Sequence, residues 1–584
     1  MQRSIRWEWV ALAFSFALFG VAIATRLLTP TPTPAPTLTM PPAVASATPT
    51  NPIPPTPTQE ASAPVARPRL DDVPTLREGL VGRVQRLNPL YASLNPVDAD
   101  ITALIFEGLV SINNYGEPVP QLAESWVISN DGLEYVFVLR QDVLWHDGTP
   151  FTADDVVYTT ALLHDPALDV QAELGAFWRT IETEKLRSNV VRFRLTQPLS
   201  SFLVNLTVGI LPEHALRGTN ASQLASHPFN LSPIGTGAYQ LEALGSSDGI
   251  NIQQVDLRVA PNYRLRPEGK AGFAVERLRF VLYEQPEQAQ RALRDGVLDA
   301  YAPRTTSERL NLVSISGVNT LTTIAPSVGI LIFNWQEPEG VRFFAEQRVR
   351  LALQRGLNRA NPVEANLANQ AILADSPILV GTWGYKAANF PTPDLAQALS
   401  LIQNANLQTP NLNGESPSTA SEIYAFTILT PNTPSLVALA QEIATQWSQL
   451  KLSVTVEALP LAEYRERLEN GAFHTAIVEL ALSSDADVFA YWHVGQAPDG
   501  KNYGSVSDDR LSDLLERARR DPYGINRIQL YHRFQDLFVE RAIALPLYYP
   551  LFSYAVSQRV SNVQLGFIST PSDRFRSLAS WEIR

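Results

Sequence analysis

The chain of 584 residues has no cysteine. That excludes disulfides, thiolate metal sites, a cysteine nucleophile and a lipid-modified N-terminal cysteine. It does not exclude export; it requires that stability come from hydrophobic cores. Histidine is scarce, with seven residues scattered at no ligand spacing. No HExxH, G-x-S-x-G or Walker pattern occurs, so the sequence gives no sign of catalysis and implies no cofactor or resident metal. Charged residues make up only 18% and hydrophobic ones 45%, enough for several cored domains.

The charge that is present divides unevenly. Residues 1–70 hold five Arg and two Glu, a net of +3, so with −12 overall the remainder carries −15. An acidic body argues against nucleic acid or an anionic membrane surface as partner, and suits either simple solubility or weak attraction for cationic ligands.

Residues 1–28 read as a membrane-targeting segment. Arg3 and Arg6 precede an uncharged, mostly apolar run over 9–25 that would span roughly 25 Å as a helix, the short end of a bilayer crossing. A retained anchor is the favoured reading. Ala22-Ile23-Ala24 also fits a signal-peptide cleavage site, so secretion is the alternative. Residues 29–70 form a linker whose 29–64 stretch has twelve prolines among thirty-six residues. Proline fixes φ and removes donors, so this stretch predicts an extended tether that joins no core.

The densest pattern follows. Residues 135–140 alternate with Tyr135, Phe137 and Leu139 on one face, which predicts a strand. Asn130-Asp131-Gly132 and Asp147-Gly148 are turn signals beside it. Thr152, three residues before Asp155 and an apolar run, predicts a capped helix. Further along, 328–334 (VGILIFN) is a buried-type strand, 343–358 a helix, and 423–429 and 452–458 are strands around an amphipathic helix, a βαβ unit. Residues 476–482 make a further strand, and Leu511, Leu514, Leu515 and Ala518 give a helical stripe. Gly235-Thr-Gly237 is no phosphate loop, since it lacks a third glycine and a strand follows it.

The ordered motifs FEGLV, P-x-LAESW, DGLEYVF-x-LR and WHDGTPFTADDVVY, all between residues 105 and 160, resemble extracellular solute-binding protein family 5. These are the oligopeptide, dipeptide and nickel receptors of ATP-driven importers. SPIGTGAYQLE (232–242) and IALPLYYPLFSY (543–554) continue the likeness, which covers roughly 80–555 and is weakest at 359–376 and 405–422. The resemblance implies an α/β fold of the type II periplasmic-binding class, with two lobes and a cleft. The first lobe would comprise 71–104, 228–327 and 556–584 with an extra subdomain at 105–227; the second would comprise 328–555. The two segments 328–334 and 546–554 are expected to lie side by side as the links between lobes. The implied function is capture of a small solute, most simply a peptide, by a monomer that delivers it to ABC permease subunits. A sugar, a nickel chelate or an opine-like solute is the alternative, as is a tethered sensor with a vestigial cleft.

The candidate site lies at 483–488, where a strand delivers Ser484, Asp485 and Asp487 to its C-terminal end. Read from the residues alone, this is equally a solvated acidic turn. In the resembled family an acidic residue here holds the ligand's α-ammonium, which makes either aspartate a candidate for a charge-assisted bond. Trp383, Tyr385 and Trp492 are candidates to line the cleft or to pack in a core. Ser93, Leu94 and Asn95 correspond to the family's strand that pairs with a peptide backbone. His146 is a structural histidine in this reading, and His474 and His493 flank the cleft strand.

Overall fold

A computed structural model describes residues 73–584, apart from 171, 247–248, 250, 266–272, 337–342, 406–424, 499 and 522–523. The expected anchor, the linker and the 408–422 loop lie outside the described residues. No helix among the described residues is long and apolar enough to cross a membrane.

The chain begins with β1 (Thr75–Val81) and α1 (Pro96–Ile105). A hairpin of β2 (Val110–Ile112) and β3 (Pro118–Pro120) leads to β4 (Ala123–Ile128) and β5 (Glu134–Leu139). In β5 the alternation reads as expected: Tyr135, Phe137 and Leu139 are buried and their neighbours are not. Helix α2 (Ala153–His164) starts at the expected capping box, with the Thr152 N–H donating to Asp155 Oδ2 at 2.9 Å. Strands β6 (Ile181–Arg187) and β7 (Val190–Leu195) complete a four-stranded antiparallel sheet in the order β4-β5-β7-β6.

Most of the remaining strands join β1 in one twelve-stranded sheet. Its members from the middle of the chain are β8 (Tyr239–Gly245), β9 (Gln254–Val259), β10 (Arg277–Tyr283), β11 (Ala300–Tyr301), β12 (Val318–Ile324) and β13 (Ser327–Phe333). Then come α3 (Gln347–Arg355), α4 (Ala360–Leu367), β14 (Ala371–Leu373), β15 (Ala425–Pro431), α5 (Pro434–Ser448), β16 (Ser453–Leu459) and β17 (Thr475–Ala481). Helices α6 (Asp509–Arg520) and α7 (Gly524–Glu540) precede the long β18 (Ala544–Ser557). The strand order is β16-β15-β17-β13-β18-β11-β1-β10-β9-β8, with β12 and β14 also on β18. β15 and β16 run parallel on either side of α5 in the chain, the expected βαβ unit.

Two large cores form around this sheet. One gathers buried side chains from Leu76 to Ala300 together with Tyr554, Val556 and Trp581. The other gathers Val328 to Tyr549. Among the described residues the chain therefore passes between the large cores twice, near 325 and near 550. The two passages touch: the Ala325 N–H donates to the Pro550 carbonyl at 2.8 Å, and Gly329 pairs with Tyr548 and Ile330 with Pro546. Pro550 has no donor to give, so its place beside short β14 requires only acceptance. At Gly329 a Cβ would stand 2.2 Å from the Tyr548 ring, so glycine lets that ring lie flat on the strand.

Two local expectations are corrected. The predicted helix at 343–358 begins later, at Gln347; Phe343 and Phe344 precede it and pack their rings on Phe426. The 359–376 segment, where the likeness is weakest, holds α4 and β14. Ser93, Leu94 and Asn95 form no strand: 89–94 is a 3-10 turn begun by Asn88, and Asn95 caps α1, accepting from the Val97 N–H at 3.1 Å. The Asn95 amide donates to the Arg83 carbonyl at 2.8 Å, so both ends of its side chain are engaged in the fold.

Gly235 and Gly237 serve packing, as a Cβ at either would collide with the backbone of Leu104 or Ile105. His146 holds this turn. Its Nε2–H donates to the Gly237 carbonyl at 2.9 Å and its Nδ1 accepts from the Gly235 N–H at 3.2 Å. That geometry needs the neutral ring, and burial pushes its pKa down from 6.5 to about 4, against the opposing pull of the Gly237 carbonyl and Asp147. Between those values the unfolded chain binds the proton and the folded one does not. Stability from this residue is thus complete above pH 6.5 and is lost as pH falls to about 4, by up to roughly 3 kcal/mol. His146→Gln should flatten the fall of the urea midpoint across that window; an unchanged slope would rule out the assignment.

Candidate functional site

The loop at 483–488 leaves β17 and is coiled by its own side chains. The Asp485 N–H donates to Ser483 Oγ at 3.2 Å, the Asp487 N–H to Asp485 Oδ1 at 3.0 Å, and the Phe489 N–H to Asp487 Oδ1 at 3.1 Å. Alternate residues thus each cap the amide two places on, the turn chemistry for which Ser and Asp are suited. This fixes both carboxylates before any other partner is counted.

Each then meets an arginine of this chain. Arg527, on α7, donates through one nitrogen to Asp485 Oδ1 at 2.8 Å and Oδ2 at 3.1 Å, and both side chains are buried. Its Nε donates to the Ala518 carbonyl at 3.1 Å. Its guanidinium lies over Trp383 at 4.7 Å and near Tyr531 at 5.7 Å. Arg519, on α6, donates to Asp487 Oδ2 at 2.7 Å and sits 4.0 Å over the Phe489 ring. Burial pushes the Asp485 carboxyl up from its ordinary range, opposed by Arg527, while Asp485 raises Arg527 against the effect of burial. Contact with both carboxylate oxygens decides the matter in favour of an ion pair.

One buried hydroxyl in the group, Ser484 Oγ, lacks a hydrogen bond, while the Tyr531 hydroxyl faces the Arg527 guanidinium. Burial, followed by the charges of Asp487 and Asp485, holds the Tyr531 pKa well above the usual phenol range.

Residues of the first core reach the same loop. Ser201 Oγ donates to Asp487 Oδ2 at 3.2 Å. The Ser200 N–H donates to the Arg519 carbonyl at 2.8 Å, and the Ser200 hydroxyl shares its one proton between that carbonyl and the carbonyl of Asp521. Tyr135 feels Arg527 and Asp485 at its hydroxyl, whose pKa burial pushes up to about 12. Gly116, in the β2–β3 turn at φ +77°, leaves so little room that a Cβ would stand 3.0 Å from the Ser484 carbonyl.

Of the other sequence candidates, Trp383 joins the cluster, edge-on to Tyr531 at 5.7 Å. Tyr385 turns to Asp375, donating at 2.9 Å. Trp492 is only 2% exposed and packs edge-on to Phe538 at 4.8 Å within the second core. His493 pairs with Glu516 at 3.0 Å, and the His474 ring meets the Thr427 hydroxyl at 3.0 Å. Among the described residues no group of three His, Asp or Glu could hold a metal. A surface hollow of about 580 Å³ beside α6 and α7, lined by Arg517, Arg520 and Arg533 among others, includes none of residues 483–488.

Sequence reasoning missed Arg519, Arg527, Tyr531, Ser200 and Ser201. Arg519 and Arg527 stand 32 and 42 residues beyond their aspartates, and no spacing rule links them.

The model for bacterial extracellular solute-binding proteins, family 5 Middle, matches residues 117–501, well over half the chain. The chain belongs to this family. This family-5 protein is 24% identical over 501 residues to the dipeptide-binding protein of Escherichia coli (strain K12), covering 80% of this chain and 87% of the relative. It is 24% identical over 477 residues to the oligopeptide-binding protein AppA of Bacillus subtilis (strain 168), covering 78% and 83%. Its fold matches that of the ABC transporter substrate binding protein CtaP from Listeria monocytogenes at a TM-score of 0.72, with 22% identity, over 88% of this chain and 99% of that one. The architecture is the two-lobed, type II periplasmic-binding fold. The family comprises solute receptors that work with ABC permeases.

Proposed function

We propose that this family-5 receptor captures a peptide between its two lobes and delivers it to an ABC permease at the outer face of the cytoplasmic membrane. The observation that carries the reading is that residues 483–488, at the end of a central strand, are met by Ser201 and Gly116 from the first core. A solute held at such a place touches both lobes together, which is what closure requires, since only differential affinity shifts an open–closed balance. The relatives supply the solute class: receptors for dipeptides, di/tripeptides and oligopeptides recur among them. The contiguous passages near 325 and 550 would serve as the hinge, and the apolar 9–25 run as the anchor of a monomer. Native mass spectrometry of the full chain, incubated with a mixed tripeptide library, should show one peptide retained per molecule. Retention of no peptide would sink the peptide reading.

A further inference from the structure

We infer that the 483–488 site does not select for a free ammonium group and accepts ligands whose amino end is an uncharged amide. The inference rests on the peptide reading above and concerns which peptides that site takes.

The geometry leaves no free carboxylate. Asp485 Oδ1 accepts from Arg527 and from the Asp487 N–H, and Oδ2 accepts from Arg527. Asp487 Oδ1 accepts from the Phe489 N–H, and Oδ2 accepts from Arg519 and Ser201. Two carboxylates thus face two guanidinium groups, and the cluster is neutral without a ligand. An ammonium brought to Asp485 would stand beside the buried Arg527 charge, and like charges in a desolvated site repel strongly. Its gain at the carboxylate would be offset by weakening an ion pair already made.

What the cluster leaves unsatisfied is neutral. Ser484 is 1% exposed, and its hydroxyl has no hydrogen bond, whereas the Tyr531 hydroxyl faces the Arg527 guanidinium. A buried hydroxyl gains by finding a partner, and that of Ser484 can donate to or accept from an amide. Trp383, with Arg527 over its ring and Tyr531 at its edge, supplies an apolar wall to the cluster. Arg527 is therefore a specificity-determining residue: by spending the Asp485 charge it removes the demand for a ligand cation.

The test uses the full chain with two probes, a mixed tripeptide library and the same library N-acetylated, with retention read by native mass spectrometry. A receptor that needs the ammonium loses a charge-assisted bond on acetylation, about tenfold or more in affinity. Retention of acetylated peptides within less than that factor of the free ones is the result expected. Depletion by tenfold or more overturns the inference while leaving the peptide reading intact. Retention from neither library overturns both. Arg527→Gln should release Asp485 and create a preference for free peptides; continued indifference counts against the inference. If that variant does not fold, Arg519→Gln, which releases the more solvent-near pair with Asp487, is read in the same way.

Discussion

Arg574→Met is expected to destabilise the first core by about 3–5 kcal/mol, the typical effect of breaking a buried ion pair by removing one partner. Arg574 is fully buried. Its Nε and one terminal nitrogen donate to Glu78 Oε1 at 2.8 and 2.6 Å, and the other donates to Asp100 Oδ1 at 2.7 Å. The Tyr554 hydroxyl donates to the second Glu78 oxygen at 2.8 Å. One guanidinium thus joins β1, α1, β18 and the C-terminal segment. Methionine fills much of the volume but leaves Glu78 and Asp100 buried without their cation. Arg83→Met is the matched control, because Arg83 pairs with Glu284 where both side chains are about 70% exposed, and such pairs contribute little. Chemical denaturation should show a large fall in midpoint for Arg574→Met and almost none for Arg83→Met. Equal midpoints for both would show that the buried network does not hold these segments together.

What the sequence made legible was local. The alternation in β5, the Thr152–Asp155 cap and the βαβ order around α5 each depend on residues a few places apart, and the structure contains all three. The Ser93–Asn95 error also had a local remedy. Asn88-Pro89 and Asn95-Pro96 each place a capping asparagine before a proline at the first helical position, a helix-start signal that outweighs analogy with a strand. Helix α4 was harder to see. Its start at Arg359 has no side-chain cap, and Arg359 instead donates to the carbonyls of Ala374 and Pro546 while stacking on Phe390. That support comes from tertiary packing, which no window of sequence contains. The same holds for the site. Residues 483–488 could be picked out as a loop bearing carboxylates after a strand, but the charge available to a ligand is set by Arg519 and Arg527 on helices that fold back upon it.

The Asp485–Arg527 pair provides the second large effect. A carboxylate waiting in a cleft for an ammonium would tolerate Asp485→Asn with the fold intact. In the structure, that change leaves the Arg527 guanidinium buried with a neutral partner, and Arg527→Met leaves Asp485 buried without a cation. Each single variant is expected to lose about 3–5 kcal/mol from the second core. The double variant Asp485→Asn with Arg527→Met strands no charge, so its loss should fall well short of the sum of the singles. The two residues are in direct contact, and coupling between such neighbours commonly reaches about 0.5–3 kcal/mol; desolvation of both partners places this pair at the upper end. Urea midpoints for the four proteins, at matched slopes, give the coupling directly. Additive losses would mean that the two groups are held separately, and the neutral cluster at 483–488 could not then be treated as one unit. Strong coupling would mean that the receptor's site is assembled around an internal ion pair, and that evolution of a different ligand preference here would have to change both residues together.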